Sequence, residues 1–393
     1  MRILALEQMQ ALPYATQLLA RLGAEVVKVE PPAGESGRSS TPFMVDPEGR
    51  HVGATFVRNN LNKRTMSIDL KKPEGRDLVL RLAPKFDVIA ENSKSGAMKK
   101  LGLGYDDFAA VHPACIYLSV SGFGNTVDTP YASWPAYATI VEAMSGIYEM
   151  KRVGDEPPRV IPVGALGDIG AALYATIGVL AALRHRDRTG RGQYVDIAMF
   201  DAMAAMTDVV TNLWSMGQRD GGPGLVIVAS FKANDGWFVL QVGREAHFAR
   251  LAELIGHPEW TTDARFATRE GWVAHQEDVI RPAIESWAAG YTRFEACQLL
   301  SDAGLAAGPC LKAPEVIADE HLRARNMLFA LDRSDDVEEP IIIPGNPVKL
   351  SDVPEVPDER VPWLGEHTDA TLRTELGLDD AEIGRLRAAG VIR

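Results

Sequence analysis

Short apolar stretches and helical patterns alternate along the first 215 residues, and this alternation restricts the fold more than any other feature of the sequence. The stretches typical of β-strands are Arg2–Leu6, Glu25–Glu30, Thr65–Leu70, Phe86–Ala90 and Cys115–Val120. Helical patterns lie between them at Pro13–Leu22, Glu74–Leu82 and Tyr105–Val111. The period of two in Glu25–Glu30 predicts a half-buried strand. Alternating strands and helices are typical of a parallel sheet with helices on both faces, so we expect an α/β fold.

The sequence also predicts where the domains meet. The pattern predicts a long apolar helix at Ile169–His185. It is followed by the turn Thr189–Gln193, the strand Tyr194–Ile197 and the helix Met199–Met216. The stretch Gln218–Gly224 then has the composition of a flexible connector. Beyond it, the pattern predicts a strand at Trp237–Val242 and helices at Ala246–Ile255 and Phe294–Ala303. We therefore predict a large domain at 1–217, a linker at 218–230, a small α+β domain at 231–325, and a tail at 326–393 that returns to the large domain.

Charge excludes some classes of partner. The 393 residues include 53 acidic and 41 basic side chains, a net charge of −12, and nucleic-acid binding is not expected from such a chain. Residues 58–100 differ from the rest, because they carry 11 basic and 5 acidic side chains, a local +6. Basic loops at the carboxyl ends of parallel strands would suit a small phosphorylated cofactor. The alternative is a solvated charged face.

We expect a cytoplasmic protein that does not cross a membrane. Three widely spaced cysteines without a CxxC pair fit a reducing compartment. Glu7 interrupts the apolar start of the chain, which argues against a signal peptide. The longest charge-free apolar helix pattern, Ile169–Leu183, has 15 residues and is too short for a bilayer.

Common catalytic motifs do not occur in the sequence. There is no GxxxxGK[ST] loop, no GxGxxG after the first strand and no GxSxG elbow. The eight histidines do not occur at HExxH spacing, so we expect no catalytic metal.

Asp168 is the strongest candidate for a reactive side chain. It stands in Val163–Leu173 (VGALGDIGAAL), after two glycines and before an apolar helix. One interpretation is an ordinary helix N-cap. The other is a nucleophile, because the small neighbouring residues would let a bulky acyl group approach the carboxylate.

Six ordered stretches resemble one known family. They are Gln10–Pro13 with 22–32 (LGAEVVKVEPP), 60–75 (NLNKRTMSIDLKKPEG), 87–92 (DVIAEN), 164–168 (GALGD), 189–203 (TGRGQYVDIAMFDAM) and 364–369 (LGEHTD). Together they are similar to the class III CoA-transferases, the family of formyl-CoA transferase and carnitine CoA-transferase. This family also contains 2-methylacyl-CoA racemases.

The resemblance implies a mechanism and a set of binding residues. Asp168 would form a mixed anhydride with the donor acyl group and then an aspartyl-CoA thioester, before a carboxylic acid acceptor takes the CoA. Gln10 and Ala11 would line the thioester pocket. The residues that would hold the nucleotide end of CoA are Ile68, Asp69, Leu70, Lys71, Asn92, Ser93, Lys94 and Lys100. The implied fold is a Rossmann-like large domain and a small domain in an interlocked homodimer, with coenzyme A as acyl-CoA substrate and no metal.

The chain departs from the family pattern at three places. Pro31-Pro32 stand where the family often has an arginine, so the phosphate contacts must differ. Residues 221–224 (GGPG) are shorter than the tetraglycine loop of formyl-CoA transferase, which argues against oxalate or formate specificity. Tyr137 stands where racemases have a histidine, and a phenol is a poor base at neutral pH. We therefore predict CoA transfer, with a racemase or a non-catalytic CoA-binding protein as the alternatives. Trp134, Tyr137, Tyr148 and residues 221–231 are candidates for the substrate wall.

Overall fold

The computed structural model describes residues 1–150, 152, 154–160, 164–218, 224–355 and 357–393. The chain forms two compact units, Met1–Arg219 with His321–Arg393, and Asp220–Glu320. The strands are β1 (Arg2–Leu6), β2 (Glu25–Glu30), β3 (Phe43–Val45), β4 (His51–Gly53), β5 (Lys63–Ser67), β6 (Val88–Glu91), β7 (Ile116–Ser121), β8 (Gln193–Ala198), β9 (Ile227–Lys232), β10 (Trp237–Val242), β11 (Ala306–Pro309), β12 (Leu328–Leu331) and β13 (Ile341–Pro344). The α-helices are α1 (Ala11–Arg21), α2 (Ala54–Asn59), α3 (Pro73–Leu82), α4 (Ala97–Lys100), α5 (Tyr105–Val111), α6 (Ala138–Met144), α7 (Ile147–Met150), α8 (Leu166–Thr189), α9 (Met199–Met206), α10 (Glu245–Leu254), α11 (Arg269–Ala274), α12 (Arg281–Ala288), α13 (Arg293–Asp302), α14 (Ala313–Ile317), α15 (Glu320–Ala324), α16 (Thr368–Leu376) and α17 (Asp380–Ala388).

A six-stranded parallel sheet forms the centre of the first unit, in the order β5-β2-β1-β6-β7-β8. Apolar clusters cover its two faces: α1, α6, α8 and α9 contribute to one, and α3, α5, α16 and α17 contribute to the other. This arrangement confirms the predicted α/β fold with a parallel sheet. The chain order reverses at β1, because β2 pairs with one of its edges and β6 with the other.

Strand β2 is buried on both faces, so the prediction of a half-buried strand is wrong. Its polar residues Lys28 and Glu30 are both 0% exposed. The Lys28 Nζ lies 3.3 Å from Glu35 Oε1, and Glu30 accepts two hydrogen bonds of 2.7 Å from Arg38. Buried charges are tolerated when they are paired in this way, and a period-two pattern cannot distinguish such residues from solvated ones.

Helix α8 begins at Leu166, three residues before the predicted start. Asp168 therefore lies in the first turn, and the alternative interpretation of Asp168 as the N-cap is wrong, because Ala165 takes that position. The outer face of the helix leaves Leu173 46%, Ile177 61% and Leu180 48% exposed.

The 24 residues of α8 exceed the length predicted for this helix. Among the described helices, it is the one long and apolar enough to span a membrane by length and composition. The core helices of soluble proteins pass the same test, and Ala171, Ala175 and Val179 of α8 are buried in the cluster that covers one face of the sheet.

The predicted helix Met199–Met216 is wrong in its second half. Helix α9 ends at Met206, and Val209–Leu213 forms one turn of π-helix. The Thr207 hydroxyl donates a hydrogen bond of 3.1 Å to the Met203 carbonyl. Threonine side chains that bond back to the preceding turn compete with the regular helix.

The second unit contains the antiparallel sheet β11-β10-β9. Strand β10 spans Trp237–Val242, as predicted, and its residues alternate between exposed and buried. Its buried side packs into an aromatic core that includes Phe231, Phe248, Trp260 and Trp272.

Candidate active site

A cavity of about 320 Å³ lies at the carboxyl end of the parallel sheet. It is lined by residues that follow β1, β6, β7 and β8, and by Asp168 at the start of α8. Because the strand order reverses at β1, the loops after the neighbouring strands run to opposite faces of the sheet and leave a crevice between them. Ligands of open α/β sheets bind in this crevice.

The backbone before Asp168 has a conformation that few side chains adopt. Gly164 has φ +87° and Ala165 has φ +43°, both in the left-handed region. A left-handed alanine costs conformational energy. The surrounding structure must therefore hold this turn, which brings the Asp168 carboxylate to the cavity wall.

Close packing at Gly167 fixes the helix that carries Asp168. A Cβ atom at Gly167 would lie 2.6 Å from Val141 Cγ2 and 3.0 Å from Ala138 Cα. Only glycine therefore allows α8 to approach α6 this closely. The glycine before the aspartate has a packing role that the sequence pattern left open.

Glu142 is a functional candidate that sequence reasoning missed. Its buried carboxylate accepts a hydrogen bond of 3.0 Å from the Gly167 amide and another from the Tyr148 hydroxyl. Burial, and then the negative charge of Glu142, raise the pKa of Asp168 from 3.8 to about 6. The sequence did contain a signal, because Glu142 is the only charged residue in 129–148.

Several predicted site residues lie together around the cavity. They are Gln10, Ala11, Asn92, Ser93, Lys94, Tyr137 and Asp168. The turn after β1 and the turn after β6 are joined by two hydrogen bonds of 2.9 Å, because the Gln8 backbone both donates to and accepts from the Asn92 side chain.

Other predicted residues do not line this cavity. Ile68 is fully buried and pairs with Ile392 in an isolated bridge, while the Asp69 amide donates to the Val391 carbonyl over 2.8 Å. Leu70 packs against the apolar cluster to which α3, α5, α16 and α17 contribute. Lys71 and Lys100 are exposed. Among these, Ile68 has a buried side chain, and its backbone amide donates a hydrogen bond of 2.8 Å to the Glu30 carbonyl.

The basic residues of segment 58–100 lie in several different places. Lys63 lies at the amino end of β5 and is buried, with its Nζ 2.7 Å from Glu7 Oε1. Lys72 donates to the Ala389 carbonyl. Lys94 lines the cavity, whereas Lys99 lines an adjoining cavity of about 430 Å³. Part of the positive charge therefore stabilises the fold.

The structure places the aromatic candidates for the substrate wall in two different environments. Trp134 and Tyr137 line the cavity. Tyr148 is buried and bonds to Glu142 instead. Residues 221–223 of the predicted wall and 219–223 of the predicted linker lie outside the described residues. Within the described residues, no cluster of three or more His, Cys, Asp or Glu side chains could hold a metal ion.

The family described as CoA-transferase family III matches residues 1–368. The chain belongs to this family. It is 34% identical to a succinyl-CoA:mesaconate CoA-transferase of Haloarcula hispanica, over 98% of this chain and 96% of that protein. It is 34% identical to a succinyl-CoA–D-citramalate CoA-transferase of Chloroflexus aurantiacus (100% and 97%), and 32% identical to a formyl-CoA:oxalate CoA-transferase of Streptomyces avermitilis (100% and 98%).

Two solved structures have the same fold as this chain. A CAIB/BAIF family protein from Brucella suis has a TM-score of 0.82 at 33% identity, and the match covers 96% of this chain and 98% of that one. Rv3272 from M. tuberculosis has a TM-score of 0.80 at 28% identity, with 94% and 97% covered. The predicted resemblance is confirmed, and the family III chain is an enzyme of the CoA-transferase class.

Proposed function

We propose that this protein transfers CoA from an acyl-CoA to a carboxylic acid through covalent intermediates on Asp168. The observation that carries the proposal is the position of Asp168. It is the one carboxylate among the described residues that line the cavity at the carboxyl end of the sheet. The predicted thioester residues Gln10 and Ala11 line the same cavity.

The reaction balances without a redox or metal step. An Asp168 oxygen attacks the donor thioester carbon, the C–S bond breaks, and a mixed anhydride and CoA thiolate form. The thiolate attacks the aspartyl carbonyl and releases the donor carboxylate, which leaves an aspartyl-CoA thioester. The acceptor carboxylate displaces the thiolate to form a second anhydride. The thiolate then attacks the acceptor carbonyl and regenerates the Asp168 carboxylate.

The environment of Asp168 suits this chemistry. With a pKa of about 6, the carboxylate is mainly ionised at neutral pH, yet it is more basic than an exposed aspartate. Partial burial also removes water that would stabilise the anion. The charge is therefore available for attack and less strongly solvated than on the surface.

CoA would extend from the cavity across the carboxyl end of the sheet. Asn92, Ser93 and Lys94 lie at the wall, where an amide, a hydroxyl and an ammonium can bind polar groups of CoA. We propose that Ile68 to Lys71 and Lys100 hold its nucleotide end outside this cavity. Because the relatives include enzymes that use succinyl-CoA, succinyl-CoA is the first donor to test.

We further propose a homodimer that covers the outer face of α8. Leu173, Ile177 and Leu180 are 46–61% exposed and lie one to two turns apart on this helix. Exposed apolar patches of this kind are typical of protein interfaces, and a second copy of the chain is the occupant that the family resemblance implies. Light scattering with size-exclusion chromatography should give twice the monomer mass.

The decisive experiment traps the covalent intermediate. The protein is incubated with succinyl-CoA, formyl-CoA or acetyl-CoA and treated with hydroxylamine, and the modified peptide is identified by mass spectrometry. We expect modification at Asp168 and none in Asp168→Ala. Asp201→Ala is the matched control, because Asp201 also lies in the first turn of a helix but is exposed. Modification elsewhere, or full activity of Asp168→Ala, would contradict the proposal.

A racemase would be recognised by exchange of the α-hydrogen of a 2-methylacyl-CoA with deuterated water. The described residues at the cavity include Tyr137 but no histidine. We expect transfer without exchange, since a phenol is a poor second base at neutral pH. Exchange at the rate of transfer would favour the racemase.

A further inference from the structure

A left-handed turn lies directly before the residues that line the predicted thioester pocket. Met9 has φ +62°, which is unusual for a residue other than glycine. Gln10 and Ala11 follow it, and α1 starts at Ala11. All three line the cavity. The position of Gln10 and of the first residue of α1 at the cavity wall therefore depends on this strained turn.

The side chain of Glu35 stabilises the turn by a hydrogen bond to its backbone. Its Oε2 accepts a hydrogen bond of 3.0 Å from the Met9 amide. The same carboxylate accepts from the amide of Gly37, and the side chain is buried. Because Glu35 is on the loop after β2, it joins that loop to the turn after β1. Neither contact is visible in the sequence pattern.

A buried chain of charges fixes the Glu35 carboxylate. The Lys28 Nζ lies 3.3 Å from Glu35 Oε1 and 3.8 Å from Glu7 Oε1. The Nζ of Lys63 lies 2.7 Å from the same Glu7 oxygen. These two acids and two bases balance, and each is at most 4% exposed. Removing one member leaves an unpaired buried charge.

We propose that Glu35 is a positioning residue for CoA transfer. It stabilises the left-handed conformation of Met9 and thereby sets the direction of Gln10 and Ala11 toward the thioester. Lys28 holds the Glu35 carboxylate in place through the ion pair of 3.3 Å. The inference rests on the proposed function in one respect, the position of the thioester beside Gln10 and Ala11.

Glycine at Met9 offers a specific test of this role. Glycine adopts positive φ without the cost that methionine bears. The turn in Met9→Gly therefore needs less support from Glu35. Four proteins form a double-mutant cycle: the unchanged chain, Glu35→Ala, Met9→Gly and the double variant. The kcat for CoA transfer, the KM for acyl-CoA and the melting temperature are measured for each.

We expect Glu35→Ala to lower kcat about tenfold in the unchanged background, which corresponds to about 1.4 kcal/mol. Adding Glu35→Ala to Met9→Gly should lower kcat no more than about threefold. Equal losses in the two backgrounds, or an unchanged kcat in Glu35→Ala, would overturn the proposal. If Glu35→Ala does not fold, Glu35→Leu replaces it in the cycle, since it fills a similar space but offers no acceptor to the Met9 amide.

A matched control separates position from general stability. Asp358 pairs with Arg21 at the opposite end of α1, over 2.8 Å, and both side chains are less than 10% exposed. Asp358→Asn should lower the melting temperature as Glu35→Ala does, without a comparable loss of kcat. If Asp358→Asn lowers kcat equally, Glu35 has only a structural role.

Hydrogen exchange gives a readout that does not depend on activity. Amide exchange in residues 7–13 should speed up in Glu35→Ala and change less when the same substitution is made in Met9→Gly. If the unchanged protein transfers CoA from none of the tested acyl-CoAs to any acid, the proposed function fails. The exchange pattern then still tests whether Glu35 stabilises the turn at Met9. Unaltered exchange in Glu35→Ala would overturn the inference even in an active enzyme.

Discussion

Asp168→Asn should make the protein more stable while it removes CoA transfer. The substitution replaces a carboxylate by a neutral group of similar shape. Burial, followed by the charge of Glu142, raises the pKa of Asp168 from 3.8 to about 6. Two pKa units correspond to about 3 kcal/mol, and partial solvent access reduces this to about 2 kcal/mol. For a unit of this size, we expect the melting temperature to rise by about 5 °C.

The pH dependence identifies the cause of this stabilisation. Because the pKa of Asp168 is higher in the folded protein than in the unfolded chain, the charge destabilises the fold fully above about pH 6. The cost decreases as the pH falls through 6 and disappears below 3.8. Calorimetry near pH 7.5 and near pH 4 should therefore show a large difference between the two proteins and then a small one. A less stable Asp168→Asn, or a difference independent of pH, would refute the reasoning.

Three further substitutions test the site. Glu142→Gln should move the acid limb of the kcat/KM profile below about pH 6, though not to the value of an exposed aspartate, since burial is the larger cause; an unmoved limb would show that the two carboxylates do not interact. Gly167→Ala should destabilise the protein by about 1–3 kcal/mol in urea unfolding because its Cβ would meet the α6 backbone, whereas Gly384→Ala, with open space around it, should not. Lys94→Ala should raise the KM for acyl-CoA more than it lowers kcat, and Lys85→Ala, an exposed lysine outside the cavity lining, serves as its control.

The sheet could be predicted because its strands differ from their surroundings in apolar content. Strand β10 was predicted to the residue, since its side chains alternate between core and solvent. Strand β2 was misjudged, because Lys28 and Glu30 are buried through pairing with partners that the local pattern does not identify. Helix α9 was predicted too long, because a threonine hydroxyl that bonds to its own helix does not alter hydropathy.

Asp168 could be proposed from its glycine-rich surroundings, but the residues that support it could not. Glu142 lies 26 positions earlier in the sequence and reaches the helix through the Gly167 amide. A single charged residue in an apolar helix indicates that the charge has a buried partner, but the sequence does not show which residue that partner is. The role inferred for Glu35 likewise depends on a backbone angle at Met9 that hydrophobic periodicity does not encode.

One helix joins two properties that are usually studied apart. Asp168 occupies the first turn of α8, and the apolar residues Leu173, Ile177 and Leu180 follow on its outer face. In the proposed dimer, subunit association would hold in place the same helix whose first turn carries the proposed nucleophile, Asp168. Specific activity should then fall on dilution below the dimer dissociation constant. Charged substitutions at Ile177 should lower the rate of CoA transfer, although Ile177 does not line the cavity.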